Sequence, residues 1–248
     1  MLERVWVVTG ASKGLGYGFA KELATQGKTV IGIARESIDL GMAGANLAEL
    51  SPESIVIPCD LSKDTDVENT ANTILKRVKS IEGIIHNAGQ IGPVKPMESV
   101  RKGDWNDLIK VNLLSVQDFT QRLLPLMKHS EQTRVTTISS GASQRSIEAW
   151  SAYCVSKAGL DMWTKCLAEE GKKFNISAIS FAPGIVDTRM QKDIRSANPN
   201  DFPAHSNFVG YYQNGDLTDP INTAKNMIPL ITQHTMDDSG NRFDIRDI

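Results

Sequence analysis

The chain has 248 residues, 40% hydrophobic and 23% charged, with a formal net charge of -2, the proportions of an ordinary globular protein with one large core and no basic footprint for nucleic acid. No window approaches the roughly 18 consecutive apolar residues of a membrane span, and Glu3 and Arg4 lead into an apolar stretch too short for a secretory signal. The three cysteines, Cys59, Cys154 and Cys166, are odd in number and lack CxxC spacing, which disfavours a disulfide framework and a zinc site and predicts a soluble protein in a reducing, cytoplasmic setting.

In chain order, the runs 5–9, 29–34, 54–58, 83–86, 134–139 and 176–181 are short and almost continuously apolar, the pattern of strands buried on both faces of a parallel sheet. Between them, 15–26, 64–80, 105–127 and 150–173 repeat apolar positions three and four apart over the lengths of crossover helices. This alternation predicts a doubly wound parallel α/β sheet, a Rossmann fold of about seven strands with helices on both faces, as one domain over 1–248. The stretch 187–215 is polar yet carries Met190, Phe202, Phe208, Tyr211 and Tyr212. So long a segment without structure is uncommon unless functional, and it is expected to be a mobile flap with one or two short helices over a ligand site. A last helix is expected over 218–232, capped by Thr218 and Asp219 with Pro220 in its first turn, followed by an edge strand at 242–245.

Directly after the first run comes Thr9-Gly10-Ala11-Ser12-Lys13-Gly14-Leu15-Gly16, in the order strand, turn, helix. Gly10 permits the sharp turn, Gly14 a close approach of backbone to a pyrophosphate, and Gly16 a close seat of helix on sheet, while the helix N-terminus stabilises phosphates. The first two glycines lie four apart, so the spacing is not GxGxxG, and glycines also serve turns that bind nothing. The second strand ends at Ala34-Arg35, where an acid would hold the ribose 2′-hydroxyl of NAD. Arg35 together with Lys13 instead suits a 2′-phosphate, favouring NADPH over NAD. Both also read as solvated surface cations, with Glu36 close by.

Tyr153 and Lys157 are four apart in a helical pattern and share one face, and Ser140 precedes them at a strand end. A free tyrosine has a pKa of about 10, and a cation about 4 Å away contributes roughly 4 kcal/mol at an effective dielectric of about 20, equivalent to about 3 pK units before opposing desolvation. Lys157 is therefore expected to lower the tyrosine. Ser140 would polarise a carbonyl oxygen while Tyr153 gives a proton as hydride reaches carbon.

Taken together, Thr9-Gly10-x3-Gly14-x-Gly16, Asn87-Ala88-Gly89, Asn112, Ser140, Tyr153-x3-Lys157 and Pro183-Gly184 resemble the short-chain dehydrogenase/reductase family over nearly the whole chain. The resemblance implies a catalytic tetrad of Asn112, Ser140, Tyr153 and Lys157, with Asn112 holding a water in a proton relay and Lys157 also binding the nicotinamide ribose. It implies a dinucleotide held by Gly10, Ser12, Lys13, Gly14, Leu15, Gly16 and Arg35, by Asp60 and Leu61 at the adenine, and by Asn87, Ala88 and Gly89 beside it. Pro183, Gly184, Val186 and Thr188 would cradle the carboxamide. His86 departs from the family, where asparagine is usual. Ser140-Gly141-Ala142-Ser143, Trp150-Ser151-Ala152-Tyr153 and the stretch 182–195 are similar to the sepiapterin-reductase-like branch, especially to fungal benzil reductases, which reduce one carbonyl of an aromatic 1,2-diketone with NADPH.

Trp150 shares roughly the helix face of Tyr153 and, with Met190, Phe208 or Tyr211, is expected to wall an aromatic substrate pocket; these side chains equally suit core or dimer contacts. Cys154 reads as packing rather than as a nucleophile. The four histidines lack HxxxH or HExxH spacing, so no catalytic metal is expected. In the family the long helices 105–127 and 150–173 pair across a two-fold axis, implying a homodimer, with a tetramer also open. The expected activity is NADPH-dependent reduction of a small-molecule ketone, an aromatic 1,2-diketone first. A pteridine side chain, a 3-oxoacyl thioester, or NADPH sensing without chemistry are the alternatives.

Overall fold

The computed structural model describes residues 1–128 and 130–248. Apolar runs without alternation form strands where both faces are covered, and the chain does this at β1 (Val5–Thr9), β2 (Val30–Ala34), β3 (Ile55–Pro58), β4 (Ile81–His86), β5 (Thr133–Ile138), β6 (Ile176–Ala182) and β7 (Arg242–Asp244). They form one sheet in the order β3-β2-β1-β4-β5-β6-β7, and every neighbouring pair is parallel. β1 and β4 meet at the centre, where the winding reverses, and both are buried along their whole length. β4 begins two residues before the apolar run suggests because Glu82 lies inside it, its carboxylate held by Lys28 at 2.8 Å and Arg4 at 3.4 Å.

Helices cover both faces. On one side α1 (Gly14–Thr25), α2 (Ile38–Leu50) and α9 (Pro220–Gln233) bring Phe19, Leu23, Leu47, Met227 and Ile228 onto Trp6, Val8, Val30 and Ile85. On the other, α3 (Asp64–Arg77), α5 (Ser115–Met127) and α6 (Ser151–Gly171) bring Val67, Ile74, Phe119, Leu123 and Ala168 onto Val5, Val7, Ile84 and Val135. A third apolar cluster lies apart from these and gathers Ile91, Leu108, Trp150, Tyr153, Ile194 and Phe202.

Two helical segments differ from the sequence expectation. α2 was unforeseen: Gly41 and Gly44 interrupt it, and Ile38 and Met42 point outward at 84% and 62% exposure, so the apolar periodicity is blurred. Its start is nonetheless capped, Ser37 Oγ accepting from the Leu40 N–H at 3.2 Å. The single helix expected over 105–127 is broken into α4 (Lys102–Ile109), a π-helical turn at Lys110–Leu114, and α5. The stretch 187–215 carries two short helices as expected, α7 (Arg189–Arg195) and α8 (His205–Gln213), joined across a fully buried Phe202. α9 starts as expected, with Asp219 Oδ1 accepting from the Asn222 N–H at 2.8 Å and Pro220 in the first turn.

Candidate active site

The connections leaving the C-terminal ends of β1 to β6 converge on one cleft of about 2190 Å³, the place where an open α/β sheet takes its ligand. Gly10 and Gly14 both sit at positive φ, 72° and 58°, which glycine adopts without strain. A Cβ on Gly16 would run into the Gly10 carbonyl oxygen and the Asn87 side-chain amide. That contact is how α1 reaches the sheet edge with its first N–H groups facing the cleft. Thr9 joins the two central loops: its Oγ1 accepts from the backbone N–H groups of Asn87 and Ala88, each at 3.0 Å, while Asn87 Nδ2 donates to the Thr9 carbonyl at 3.0 Å.

Ser12, Lys13, Leu15, Arg35, Leu61, Ala88 and Gly89 line this cleft with the glycines. Asp60 does too, its Oδ1 accepting from Ser62 N at 3.0 Å and Ser62 Oγ at 2.8 Å. Burial pushes that carboxyl up, but the Ser62 bonds and the Lys63 and Arg35 charges outweigh it and keep the acid below its usual range. The Lys13 Nζ also pairs with Asp39 Oδ2 at 3.1 Å, both side chains being more than half exposed. Asp39 belongs to the unforeseen α2, so the sequence reading missed this competitor. Past β6, Pro183, Gly184, Val186 and Thr188 line the opposite wall, and the Thr188 methyl lies 3.5 Å from where a Gly14 Cβ would stand. The wall is anchored by bonds from Asp187 N to Thr218 O and from Thr218 N to Ile185 O, each 2.9 Å. Positive-φ glycines, free helix N–H groups and a cation beyond β2 together fit a nicotinamide dinucleotide.

The four residues of the expected tetrad come from three elements. Tyr153, Lys157 and Asp161 lie on the buried face of α6, as their i, i+4, i+8 spacing requires. Lys157 is 4% exposed, and its Nζ donates to the Ile138 carbonyl at 2.6 Å and lies 5.8 Å from the Tyr153 ring centroid. Desolvation draws its pKa down to about 8 against the opposing pull of Asp161. Tyr153 is pushed up to about 12, burial outweighing a hydrogen-bonding Ser140. The expected lowering of Tyr153 by Lys157 is thus corrected: the ammonium is turned to a β5 carbonyl, and desolvation of the phenol dominates. The tyrosine is held as an acid. Its hydroxyl meets Met190 Sδ at 3.8 Å, a weak partner. Ser140 Oγ accepts from the Ala142 N–H at 3.2 Å, leaving its own proton to donate. Ser139, by contrast, is buried and bonded to Ser143.

Asn112 sits in the π-helical turn, 1% exposed. Its Oδ1 accepts from Gln90 N at 2.9 Å, and its Nδ2 donates to Gln90 O at 2.9 Å and Ser156 Oγ at 3.1 Å. The side chain therefore clamps the loop after β4, with one Oδ1 lone pair left over. His86 is buried, with Nε2 at 2.8 Å from Thr120 Oγ1, and desolvation lowers its pKa to about 3, so it packs as a neutral ring behind the β4 end.

Trp150, Met190, Phe208 and Tyr211 all line the cleft. Trp150 stands edge-on to Tyr153 at 5.5 Å, stacks on Phe202 at 5.5 Å and meets Phe208 at 5.2 Å; Phe208 meets Tyr211 at 5.7 Å. The aromatic group is both pocket wall and core. Sequence reasoning missed Ile91, Ile147 and Gln144 on the same lining, which carry no motif, although the apolar flap residues were a usable signal for Phe202. Among the described residues no three His, Cys, Asp or Glu side chains gather as metal ligands would, and no helix is long and apolar enough to cross a membrane.

This constellation is that of a dinucleotide-dependent oxidoreductase, and the short chain dehydrogenase family model matches residues 4–199. The chain belongs to the short-chain dehydrogenase/reductase family. It is 34% identical over 234 residues to a benzil reductase ((S)-benzoin forming) of Bacillus cereus, covering 90% of this chain and 91% of that protein. Among solved structures it resembles the KRED1-Pglu enzyme, with TM-score 0.87 and 31% identity over 96% of this chain and 99% of that one. It also resembles a short chain dehydrogenase of Escherichia coli CFT073 complexed with NADPH, with TM-score 0.82 and 26% identity over 99% and 98% of the two chains.

Lys157 gives the site a pH signature. Carbonyl reduction is expected to be level below about pH 8 and to fall as pH rises through about 8, where the ammonium loses its proton. Nicotinamide oxidation rates under saturating substrate from about pH 6 to about pH 10 measure this; a profile flat to the alkaline end removes Lys157 from the proton-transfer couple.

Proposed function

We propose that the protein reduces a ketone carbonyl with NADPH, and that its substrate class is the aromatic 1,2-diketones, benzil among them. The observation that carries this reading is Tyr153, a buried phenol in one cleft with the glycine turn and edge-on to an aromatic wall. The dinucleotide would be held by Gly10, Gly14 and Gly16, by Arg35 and Asp60, and by Asn87 and the 183–188 wall. When bound, it supplies the hydride that reaches the carbonyl carbon.

The chain's own residues do the rest. The Ser140 hydroxyl donates to the carbonyl oxygen and polarises it, and Tyr153 hands its proton to that oxygen as charge develops there. The phenolate left behind would regain its proton from the Lys157 ammonium, which would also offer a donor to the ribose. Asn112, through its remaining lone pair, would hold the water that returns a proton to Lys157. Trp150, Phe208 and Tyr211 offer ring faces and edges to an aryl substituent, which favours a diaryl diketone over a pteridine side chain or a 3-oxoacyl thioester. An intact Ser140, Tyr153 and Lys157 set has no use in an NADPH sensor that does no chemistry.

The test is an NADPH-oxidation screen over aromatic diketones, pteridines, 3-oxoacyl thioesters and aliphatic ketones. Benzil is expected to rank first. Tyr153→Phe should lower kcat by about 100-fold or more, and Trp150→Ala should raise KM for the diketone more than for an aliphatic ketone. Tight NADPH binding with no turnover across the panel would establish the sensor instead.

For the cofactor, Arg35 is taken to grip the 2′-phosphate while Asp39 competes for Lys13. A charged hydrogen bond contributes about 1.5–3 kcal/mol, so Arg35→Asp should shift the NADPH-to-NADH ratio of kcat/KM by about ten-fold or more toward NADH. An unchanged ratio sinks that assignment.

The protein is proposed to act in the cytoplasm as a homodimer through the faces of α5 and α6. Supporting this are three free cysteines, the exposed Val155 and Met162 of α6, at 51% and 58%, and Leu114 at 55% in the turn just before α5. Light scattering should return twice the 27.2 kDa chain mass; a monomer mass at micromolar concentration excludes the dimer, and four times the chain mass would mean a tetramer.

A further inference from the structure

We propose that Asp161 and Arg242 are positioning residues for the reaction centre, their ion pair joining the helix that carries Tyr153 and Lys157 to the strand end that carries Ser140. Asp161 stands one turn beyond Lys157 on the buried face of α6, and Arg242 opens the edge strand β7. Arg242 Nε lies 3.4 Å from Asp161 Oδ2, with side-chain exposures of 21% and 7%.

Both partners reach the tetrad. Arg242 Nη2 donates to the carbonyl of Ser140 itself at 3.3 Å, an oxygen that also accepts from Ser143 Oγ at 2.9 Å. Gln144 Nε2 donates to Asp161 Oδ2 at 3.2 Å and to Ser143 Oγ at 3.0 Å, closing a ring around the turn that follows Ser140. On the other side, the Asp161 charge opposes the desolvation of Lys157. Asp161 Oδ1 is buried and has no hydrogen-bond partner among the described residues, so its charge is only partly neutralised where it stands.

A buried ion pair is a poor way to gain stability, since an apolar replacement is often as good. Here it sits where it fixes the serine and sustains the lysine charge. The charged and titratable groups facing it are Tyr153 and Lys157 from α6, Arg242 and Asp244 from β7, and Arg246 just beyond. Asp244 is held chiefly by Arg246 at 2.6 Å and lies 3.7 Å from Arg242, so Arg242 is shared between Asp244 and the nearer Asp161 at 3.4 Å. The turn after β5 contributes the neutral Ser139, Ser143 and Gln144.

The inference rests on the proposed roles of Tyr153 and Lys157, and its first readout needs no substrate. The Lys157 pKa is measured in the full chain by NMR of 13Cε-labelled lysine, assigned with Lys157→Arg, in wild type, Asp161→Asn, Asp161→Glu and Arg242→Lys. Asp161→Asn is expected to lower the Lys157 pKa by about half a unit or more, and Asp161→Glu to restore part of it. With the carbonyl that wild type turns over fastest, Asp161→Asn and Arg242→Lys should each lower kcat by about ten-fold with KM for NADPH within about two-fold. An unmoved Lys157 pKa in a folded Asp161→Asn protein overturns the inference, as does a kcat that falls only in step with thermal stability and KM. Absent turnover in wild type with a shifted Lys157 would instead fault the functional reading.

Discussion

An ammonium group held almost out of water sets the terms for this molecule. Lys157 is 4% exposed, and a buried cation persists only where fixed dipoles and charges replace its hydration. The Ile138 carbonyl supplies the dipole at 2.6 Å, which obliges the end of β5 to stop within reach of α6. Asp161 supplies the charge from the same helix. The serine that follows β5 is carried into place by that arrangement, so lysine and serine are located by one set of contacts rather than two.

Desolvation then governs the protonation of both groups. A lysine beside a tyrosine suggests a lowered phenol pKa, and bare electrostatics at an effective dielectric of about 20 supports it. In the folded chain burial acts on both groups, drawing Lys157 down and pushing Tyr153 up. A phenol that keeps its proton at neutral pH suits donation to a carbonyl oxygen. Spacing reveals that two groups are neighbours, but which protonation state each prefers depends on water exclusion, and that is a property of the packed site.

What the sequence made legible follows the same division. Unbroken apolar runs such as 5–9 and 176–181 and the ordered glycines announced strands, turn and winding, because those depend on neighbours along the chain. That Tyr153 and Lys157 share a helix face was legible for the same reason, whereas the cleft they share with Ser140 is made by the fold. α2 was not, since Gly41 and Gly44 lower its helix propensity and Gly44 is there because Val56 lies against it. The start of β4 was hidden by Glu82, an acid acceptable in a strand only through its pairing with Lys28 and Arg4. Lys13 with Asp39 and Asp161 with Arg242 join residues distant in sequence, and no periodicity records such pairs.

The π-helical turn at Lys110–Leu114 has an effect beyond housing Asn112. On its upstream side Trp105 and Leu108 belong to the cluster around Trp150, and on its downstream side Phe119 and Leu123 belong to the sheet core. An α-helix turns about 100° per residue, so the widened turn re-aims one rod from ligand pocket to sheet. The segment should accordingly tolerate exchange of side chains far better than loss of a single residue: a shortened rod would point its second half at the wrong partner, however good the sequence on either side.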